Sequence, residues 1–414
     1  MVAPLHWRGD GGRPVTATTN PVILYFMLKL PIYLDHNATT PCDPQVMEVM
    51  LPYFTELYGN AASRSHSFGW QAEEAVDYAR EQIAKLIGAE PKEIIFTSGA
   101  TEGNNLAIKG VFEMYAVKGN HIITCVTEHK AVLDTCKHIE KLGGEVTYLP
   151  VDKEGLIDLQ QLEAAITPRT ILIAIMYANN ETGTIQPVKE IGALAKKHGV
   201  LFFTDATQAV GKIPVDVIKD DIDLLTCSAH KMYGPKGVGA LYVRRKNPRV
   251  RITAQLDGGG HEKGMRSGTL NVPGIAGFGK AADICRQQLE TDGKRMSQLR
   301  NKLENALLQL DATYLNGSKN NRLPHVANLS FNFVNGDGLM MGLNKEVALS
   351  SGAACTSASM EPSYVLKALG VEDELAHSSL RFSIGRYTTE EQIDYVIEKV
   401  KKVVEELRAN QLAN

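Results

Sequence analysis

Two charged residues in the middle of the chain could do covalent chemistry together. Lys231 lies in Cys227-Ser228-Ala229-His230-Lys231-Met232-Tyr233-Gly234-Pro235-Lys236-Gly237, between a strand-like run (Ile222, Leu224, Leu225) and a Gly/Pro-rich turn. A second strand-like run, Val238 to Val243, follows the turn. A lysine held where a strand gives way to a glycine loop can be kept partly out of water. Desolvation lowers its pKa and frees the amine to form an imine with an aldehyde. Ser228 and His230 are hydroxyl and imidazole donors suited to a phosphate carried by that aldehyde. Taken alone, the same pattern also suits a surface lysine before a tight turn. Asp205 shifts the balance, because it closes the apolar run Leu201-Phe202-Phe203-Thr204. A carboxylate at the end of a buried strand is a suitable partner for a protonated pyridine nitrogen.

Further polar motifs follow strand-like runs in chain order. Thr97-Ser98-Gly99-Ala100-Thr101 opens a helix, where free backbone N–H groups and the helix dipole attract phosphate; an ordinary helix start reads the same way. His129, in Thr127-Glu128-His129, can stack on an aromatic ring, move protons or cap the next helix. Asn180, in Asn179-Asn180-Glu181-Thr182-Gly183, can hydrogen-bond a ring hydroxyl or a carboxylate, and Gln208 can reach the same ring from its flank. The glycine-rich stretch Asp257 to Thr269 can approach a phosphate through its backbone and Thr269.

A different chemistry is written near the C-terminus. In Ser350-Ser351-Gly352-Ala353-Ala354-Cys355-Thr356-Ser357-Ala358-Ser359, every residue apart from the cysteine is small or hydroxylic and none is charged. Such a segment packs poorly and is expected to form a mobile, partly exposed loop. A thiol on it suits a nucleophile that reaches into a site and carries its product outward. The other cysteines are expected to be small buried residues. Arg381, in Ser378-Ser379-Leu380-Arg381-Phe382-Ser383, can clamp an amino-acid carboxylate with its two-pronged fork; a structural ion pair is the alternative.

The elements that must position these groups alternate. Strand-like runs at Ile94–Phe96, His121–Val126, Val146–Val151, Thr170–Tyr177 and Val200–Thr204 are separated by helical patterns at 101–117, 130–142, 159–166 and 188–197. Ser67 to Ile87 is an amphipathic helix stopped by Gly88. This order predicts an α/β fold: a mainly parallel sheet with helices on both faces, and active groups at the carboxyl ends of the strands. Long helical patterns from Ala276 to Leu310 lead to a smaller α/β C-terminal domain with a strand over 326–334 and a closing charged helix over 390–408. The domain expectation is a large unit over 45–275 and a small unit formed by 27–44 and 276–414, the latter carrying the cysteine loop.

At 414 residues the chain can bury a full core. It is 44% hydrophobic and 22% charged, and its net charge of −3 argues against nucleic acid as a ligand. Its 6 cysteines include no C-x-x-C pair, which disfavours a disulfide framework or a zinc site and fits a reducing compartment. Residues 1–26, rich in Gly, Pro and Thr, are expected to be a disordered extension, with Met27 a candidate start. The run Val22–Leu34 is broken by Lys29 and Pro31 and is too short to span a bilayer, so no membrane association is expected.

The strand-ending Asp205 with the downstream Lys231 resembles the pyridoxal-phosphate enzymes of fold type I. With Tyr33-Leu34-Asp35-His36-Asn37-Ala38-Thr39-Thr40-Pro41, Thr97 to Glu102, Thr127 to Lys130, Ser228 to Gly237, Arg266-Ser267-Gly268-Thr269 and Ser350 to Ser357, the chain from about Leu30 onward is similar to cysteine desulfurases of the housekeeping iron–sulfur-cluster type. The resemblance implies pyridoxal 5′-phosphate (PLP) held through an imine by Lys231, with Asp205 on the pyridine nitrogen. Gln208 and Asn180 would address the ring oxygen, and His129 would stack on the ring and manage thiol protons. Ala100, Thr101, Ser228 and His230 would hold the phosphate, with Thr269 reaching across from the other subunit of a homodimer. Arg381, with Asn180, would bind the carboxylate of L-cysteine. Cys355 would accept the sulfur as a persulfide and leave alanine.

The resemblance further implies delivery of sulfur to an iron–sulfur scaffold protein and to other acceptors, as in tRNA thiolation, with Cys355 as a shared cluster ligand. The chain stops at Asn414, soon after Arg408, which weakens the scaffold expectation. The expected location is the cytoplasm, or the mitochondrion if the extension is a transit peptide. The competing readings are a selenocysteine lyase or aminotransferase on the same fold, and a PLP-binding sulfur carrier without turnover. The Cys355 loop disfavours the aminotransferase, and the set Asp205, Lys231, Cys355 and Arg381 disfavours the inert carrier.

Overall fold

A computed structural model describes residues 28–351 and 361–412. The expectations for residues 1–26 and for Cys355 lie outside the described residues. No helix within them is long and apolar enough to cross a membrane.

Short, continuously buried runs build the main sheet, with successive residues packing on opposite faces. Strands β1 (Ile32–Tyr33), β2 (Ile94–Thr97), β3 (His121–Cys125), β4 (Glu145–Leu149), β5 (Thr170–Ala174), β6 (Leu201–Asp205), β7 (Leu224–Ser228) and β8 (Gly239–Val243) follow one another along the chain. Among the described residues, β2 to β8 form a 7-stranded sheet in the order β2-β8-β7-β6-β5-β3-β4. The pairs β3/β4, β3/β5, β5/β6 and β6/β7 are parallel, and β8 runs against both its neighbours. Most residues of these strands are buried, as expected for a sheet covered on both sides. Phe202 faces one side, with the helices Ser67–Ile87 and Val272–Leu307; Leu201 and Phe203 face the other, with Ala100–Met114 and Lys130–Lys141. Helices Ser67–Ile87 and Val272–Leu307 approach closely because Gly279 has no side chain. A Cβ there would lie 2.6 Å from that of Ala79.

The sequence-based boundaries hold to within a few residues. The helix expected to reach Val117 ends at Met114, where Lys118 and Gly119 donate their N–H groups back to the Tyr115 carbonyl and close a turn. Cys125, Cys136, Cys227 and Cys285 are buried free thiols as expected, whereas Cys42 is only partly buried.

The second sheet is smaller and antiparallel. It comprises β9 (Thr313–Leu315), β10 (Val326–Phe331), β12 (Ser350–Ser351) and β13 (Ser379–Ser383) in the order β12-β13-β10-β9, while β1 pairs in parallel with β11 (Val347–Ala348). Helix Val272–Leu307 bridges the two cores: its first turns pack on the main sheet, and Met296, Leu299, Leu303 and Leu307 pack on the smaller one. The closing helix Glu390–Leu412 adds Ile393, Val396, Val400 and Val404 to that second core.

Candidate active site

Strands β6 and β7 deliver Asp205 and Ser228 to the same edge of the main sheet, the edge at which helix Ala100–Met114 begins. A cavity of about 830 Å³ opens there. Asp205, Ser228, His230, Lys231, Gln208, Asn180, His129, Ala100, Thr101 and Arg381 all line it. Residues scattered over most of the chain therefore meet in one space, as expected for the carboxyl edge of an open α/β sheet.

Lys231 ends a short 3-10 turn, Ala229–Lys231, directly after β7. Its Nζ donates to the backbone carbonyls of Asn37 and Ala38, each at 2.6 Å. Burial, reinforced by the nearby positive charge of Arg381, lowers its pKa to about 8. The amine is thus poised to lose its proton near physiological pH. Asp205 is buried; its Oδ2 accepts from the Asn104 side-chain amide at 2.7 Å and its Oδ1 from the Thr207 backbone N–H at 3.0 Å. Asn104 lies on the inward face of helix Ala100–Met114, which presses against β7. A Cβ at Gly103 would sit 2.1 Å from Thr226 Oγ1, so only glycine allows that approach.

The start of that helix makes one wall. Its N-cap, Gly99, has no side chain to occupy the first-turn donors. Facing it are Ser228 and His230, whose Nδ1 lies 3.1 Å from Thr39 Oγ1. Burial, aided by Lys231, Lys236 and Lys212, pushes the His230 pKa down to about 4, so its ring is neutral at pH 7. The floor carries orphaned polar atoms: Asn180 Oδ1 and Thr207 Oγ1 are buried without a partner among the described residues. Gln208 donates from Nε2 to the Asn37 carbonyl at 3.0 Å and accepts from the Lys212 amine at 3.1 Å.

On the opposite side, Arg381 of β13 enters from the smaller sheet. Nη2 donates to Asp35 Oδ1 at 2.7 Å, and Nη1 donates to the Asn180 carbonyl at 2.9 Å. The ion-pair alternative is therefore realised, within the cavity. His129 does cap its helix: the Ala131 N–H donates to His129 Nδ1 at 3.1 Å while the ring lines the cavity. Thr269 is exposed and does not line the cavity of its own chain.

Several residues here escaped the sequence reading. Asn104 and Lys212 carried no local motif, although Asn104 falls one helical turn after Ala100, and Thr207 lay within Asp205-Ala206-Thr207-Gln208 without a role of its own. The turn Asp35-His36-Asn37 entered only through the family resemblance, with no role assigned to its residues. Glu128 is buried beside His129, accepts from the Met176 N–H at 2.5 Å, and has its pKa raised to about 8, chiefly by burial.

Comparison with known proteins accords with this geometry. Residues 32–396 match the family model of the class-V aminotransferases. The chain is 58% identical over 383 residues to "Cysteine desulfurase IscS" of Anaeromyxobacter dehalogenans, covering 91% of this chain and 94% of that one. The chain belongs to the cysteine desulfurases of the class-V aminotransferase family. Among solved structures, a NifS-like protein superposes with a TM-score of 0.84 at 39% identity, covering 91% of this chain and 100% of the other. SspA in complex with cysteine superposes at 0.77 with 38% identity, covering 86% and 100%.

The cofactor of this family is PLP, and the residues present fit it. A buried carboxylate, a lysine of lowered pKa, an uncapped helix start with two hydroxyl or imidazole neighbours, and unpartnered polar atoms on the floor are complementary to its ring nitrogen, aldehyde, phosphate and ring oxygen.

Proposed function

We propose that the chain removes sulfur from L-cysteine, with Lys231, Asp205, Arg381 and Cys355 as its working groups. The observation that carries this reading is the single cavity in which a lysine amine of lowered pKa, a buried carboxylate and a buried guanidinium face one another. SspA, a structural neighbour, has been solved in complex with cysteine.

When bound, PLP supplies an aldehyde that condenses with the substrate amine and a conjugated ring that takes up the electrons released at the α-carbon. Asp205, held by Asn104 and the Thr207 N–H, would keep the ring nitrogen protonated. Asn180 and Gln208 would address the ring oxygen, and His129 would stack on the ring. Ala100, Thr101, Ser228 and His230 would hold the phosphate. Lys231 would hold the cofactor through its aldehyde and, as a free neutral amine, would accept the substrate's α-proton. Arg381, with Asn180, orients the substrate carboxylate. The Cys355 thiolate then attacks the substrate sulfur: an S–S bond forms, the substrate C–S bond breaks, and protonation at the substrate carbon leaves alanine. His129 manages the thiol protons.

A homodimer completes the site in this reading. Thr269 is exposed and outside the lining of its own cavity, and would serve the partner's phosphate. Leu51, Phe54, Tyr58 and Trp70 are each more than half exposed, an apolar surface suited to a second copy. The persulfide passes to sulfur acceptors, including an iron–sulfur scaffold whose cluster Cys355 would help to bind, and the tRNA-thiolation route. A large unit over 45–275 and a small unit over 27–44 and 276–414 belong to the same reading, supported by the separation of the 7-stranded from the 4-stranded sheet, although Phe278, Ala282 and Cys285 still pack with the larger unit. The reducing cytoplasm suits its free thiols.

The test is mass spectrometry after brief exposure to L-cysteine, with alanine assayed in the same sample. One added sulfur on Cys355, absent from Cys355→Ala with PLP still bound, is expected. Alanine or pyruvate released without sulfur on Cys355 would move the function to a lyase or transaminase.

A further inference from the structure

Arg381 is held by the chain's own carboxylate before any substrate arrives. Its side chain is only 9% exposed, and a guanidinium so far from water needs a partner. Asp35 is that partner: its Oδ1 accepts from Nη2 at 2.7 Å. Ser350 completes a triangle, accepting from Nη2 at 2.9 Å and donating to Asp35 Oδ1 at 2.9 Å. The three residues come from separate segments, the turn after β1, strand β12 and strand β13, and all of them line the cavity.

The guanidinium has two edges for a carboxylate. Nη1 is taken by the Asn180 carbonyl at 2.9 Å. Nε is buried and has no partner among the described residues. A carboxylate that meets arginine side-on uses Nε together with Nη2, the two donors on one edge. One of them is vacant and the other carries Asp35. Nη2 gives its two N–H groups to Asp35 and Ser350, so a ligand carboxylate completes the two-pronged contact only by displacing a member of this linked pair, in which Asp35 is the anion. A further buried carboxylate near Arg381, Glu181, is engaged by the Ser363 hydroxyl at 2.5 Å, and Asp205 by Asn104 and the Thr207 N–H.

We propose that Asp35 is a built-in competitor for the substrate carboxylate at Arg381, and that its displacement sets both affinity and selectivity for ligands bearing an α-carboxylate. The idea rests on the reading of Arg381 as the carboxylate site. An amine without a carboxylate leaves Asp35 where it is and gains nothing from Arg381. An amino acid must first exchange one anion for another, so its affinity is lower than a free guanidinium would give. Removing the Asp35 charge while keeping an acceptor in place therefore tightens amino-acid binding and leaves simple amines alone.

The experiment titrates PLP-loaded enzyme with L-alanine and with ethylamine, which is alanine without its carboxylate, and follows the visible absorption of the cofactor to obtain Kd. Asp35→Asn is expected to lower the alanine Kd about tenfold, the weight of one charge-assisted contact, and to leave the ethylamine Kd within about twofold. Ser350→Ala, which removes a hydrogen bond that holds Asp35, shifts alanine the same way by about twofold to threefold. It serves as the second variant should Asp35→Asn fail to fold or to load the cofactor. An alanine Kd unchanged or raised in the variant that loads, or an equal shift for both probes, overturns the proposal. Arg381→Lys is the control for the underlying reading. If it leaves alanine binding intact, Arg381 is not the carboxylate site; if it weakens alanine while Asp35→Asn does nothing, only the competitor proposal fails.

Discussion

Lys231 Nζ donates to the carbonyl oxygen of Asn37 across 2.6 Å, so the free amine is parked on backbone from the far end of the chain. Together with the Ala38 carbonyl, this geometry gives the lysine a place to rest whenever it is not bonded to an aldehyde. Replacing it removes both the covalent hold and the base. Lys231→Ala is expected to lower alanine release by at least about 10³-fold while the protein still folds. Steady-state alanine production, with circular dichroism as the folding control, checks this.

The same amine makes the cofactor-free protein pH-sensitive. A lysine whose folded pKa is lowered from 10.5 to about 8 binds fewer protons folded than unfolded between those values. Its contribution is therefore present in full above about pH 10.5 and is lost as pH falls through about 8. Urea midpoints of wild type should rise from pH 8 to pH 10 relative to Lys231→Met, and parallel curves would refute the lowered pKa.

Asp205 is held from two sides, by the Asn104 amide and the Thr207 N–H. Those bonds fix its orientation, but only its charge can keep a pyridine nitrogen protonated. Asp205→Asn should retain PLP yet lose about 10²-fold or more in turnover. Asn104→Ala, which loosens the carboxylate without neutralising it, should lose less. Equal losses would mean that orientation and not charge dominates.

Glu128 is a buried acid whose pKa is raised to about 8 by desolvation, with Asp205 a smaller contributor. Its favourable contribution is complete below about pH 4.5 and is lost as pH rises through about 8. Glu128→Gln should match wild type near pH 5 and exceed its stability by on the order of 2–3 kcal/mol near pH 9, measured by denaturant unfolding. A constant difference across that range would show that the carboxyl does not titrate as described.

Arg80 and Glu262 form a two-bond ion pair at 2.8 Å, and Glu262 also accepts from the Phe96 N–H at 2.7 Å. Glu262 has a positive φ of 48° in the glycine-rich stretch that leads to Thr269. Its side chain is 2% exposed, so Arg80→Met strands a buried charge and should cost about 3–5 kcal/mol in unfolding free energy. The double variant Arg80→Met, Glu262→Gln should recover part of that loss.

What the sequence by itself determined was local. Alternating apolar runs and helical spacings marked the strands and helices, because each element must bury one face whatever its neighbours are. The rule that strands present polar groups at their carboxyl ends then picked out Asp205, Ser228, His230 and Lys231, each adjacent to a strand in the chain. The reversed direction of β8 and the order of the strands were not written locally, since backbone pairing is indifferent to which apolar strand lies alongside. The partners of the chemical groups were also invisible. Asp35 reaches Arg381, and Asn37 reaches Lys231, only because β1 and β13 are brought to the edge of a different sheet. Glu128 and Lys212 look like surface charges in a list of residues. Only the closing of the fold around them removed the water that would have kept their pKa values ordinary.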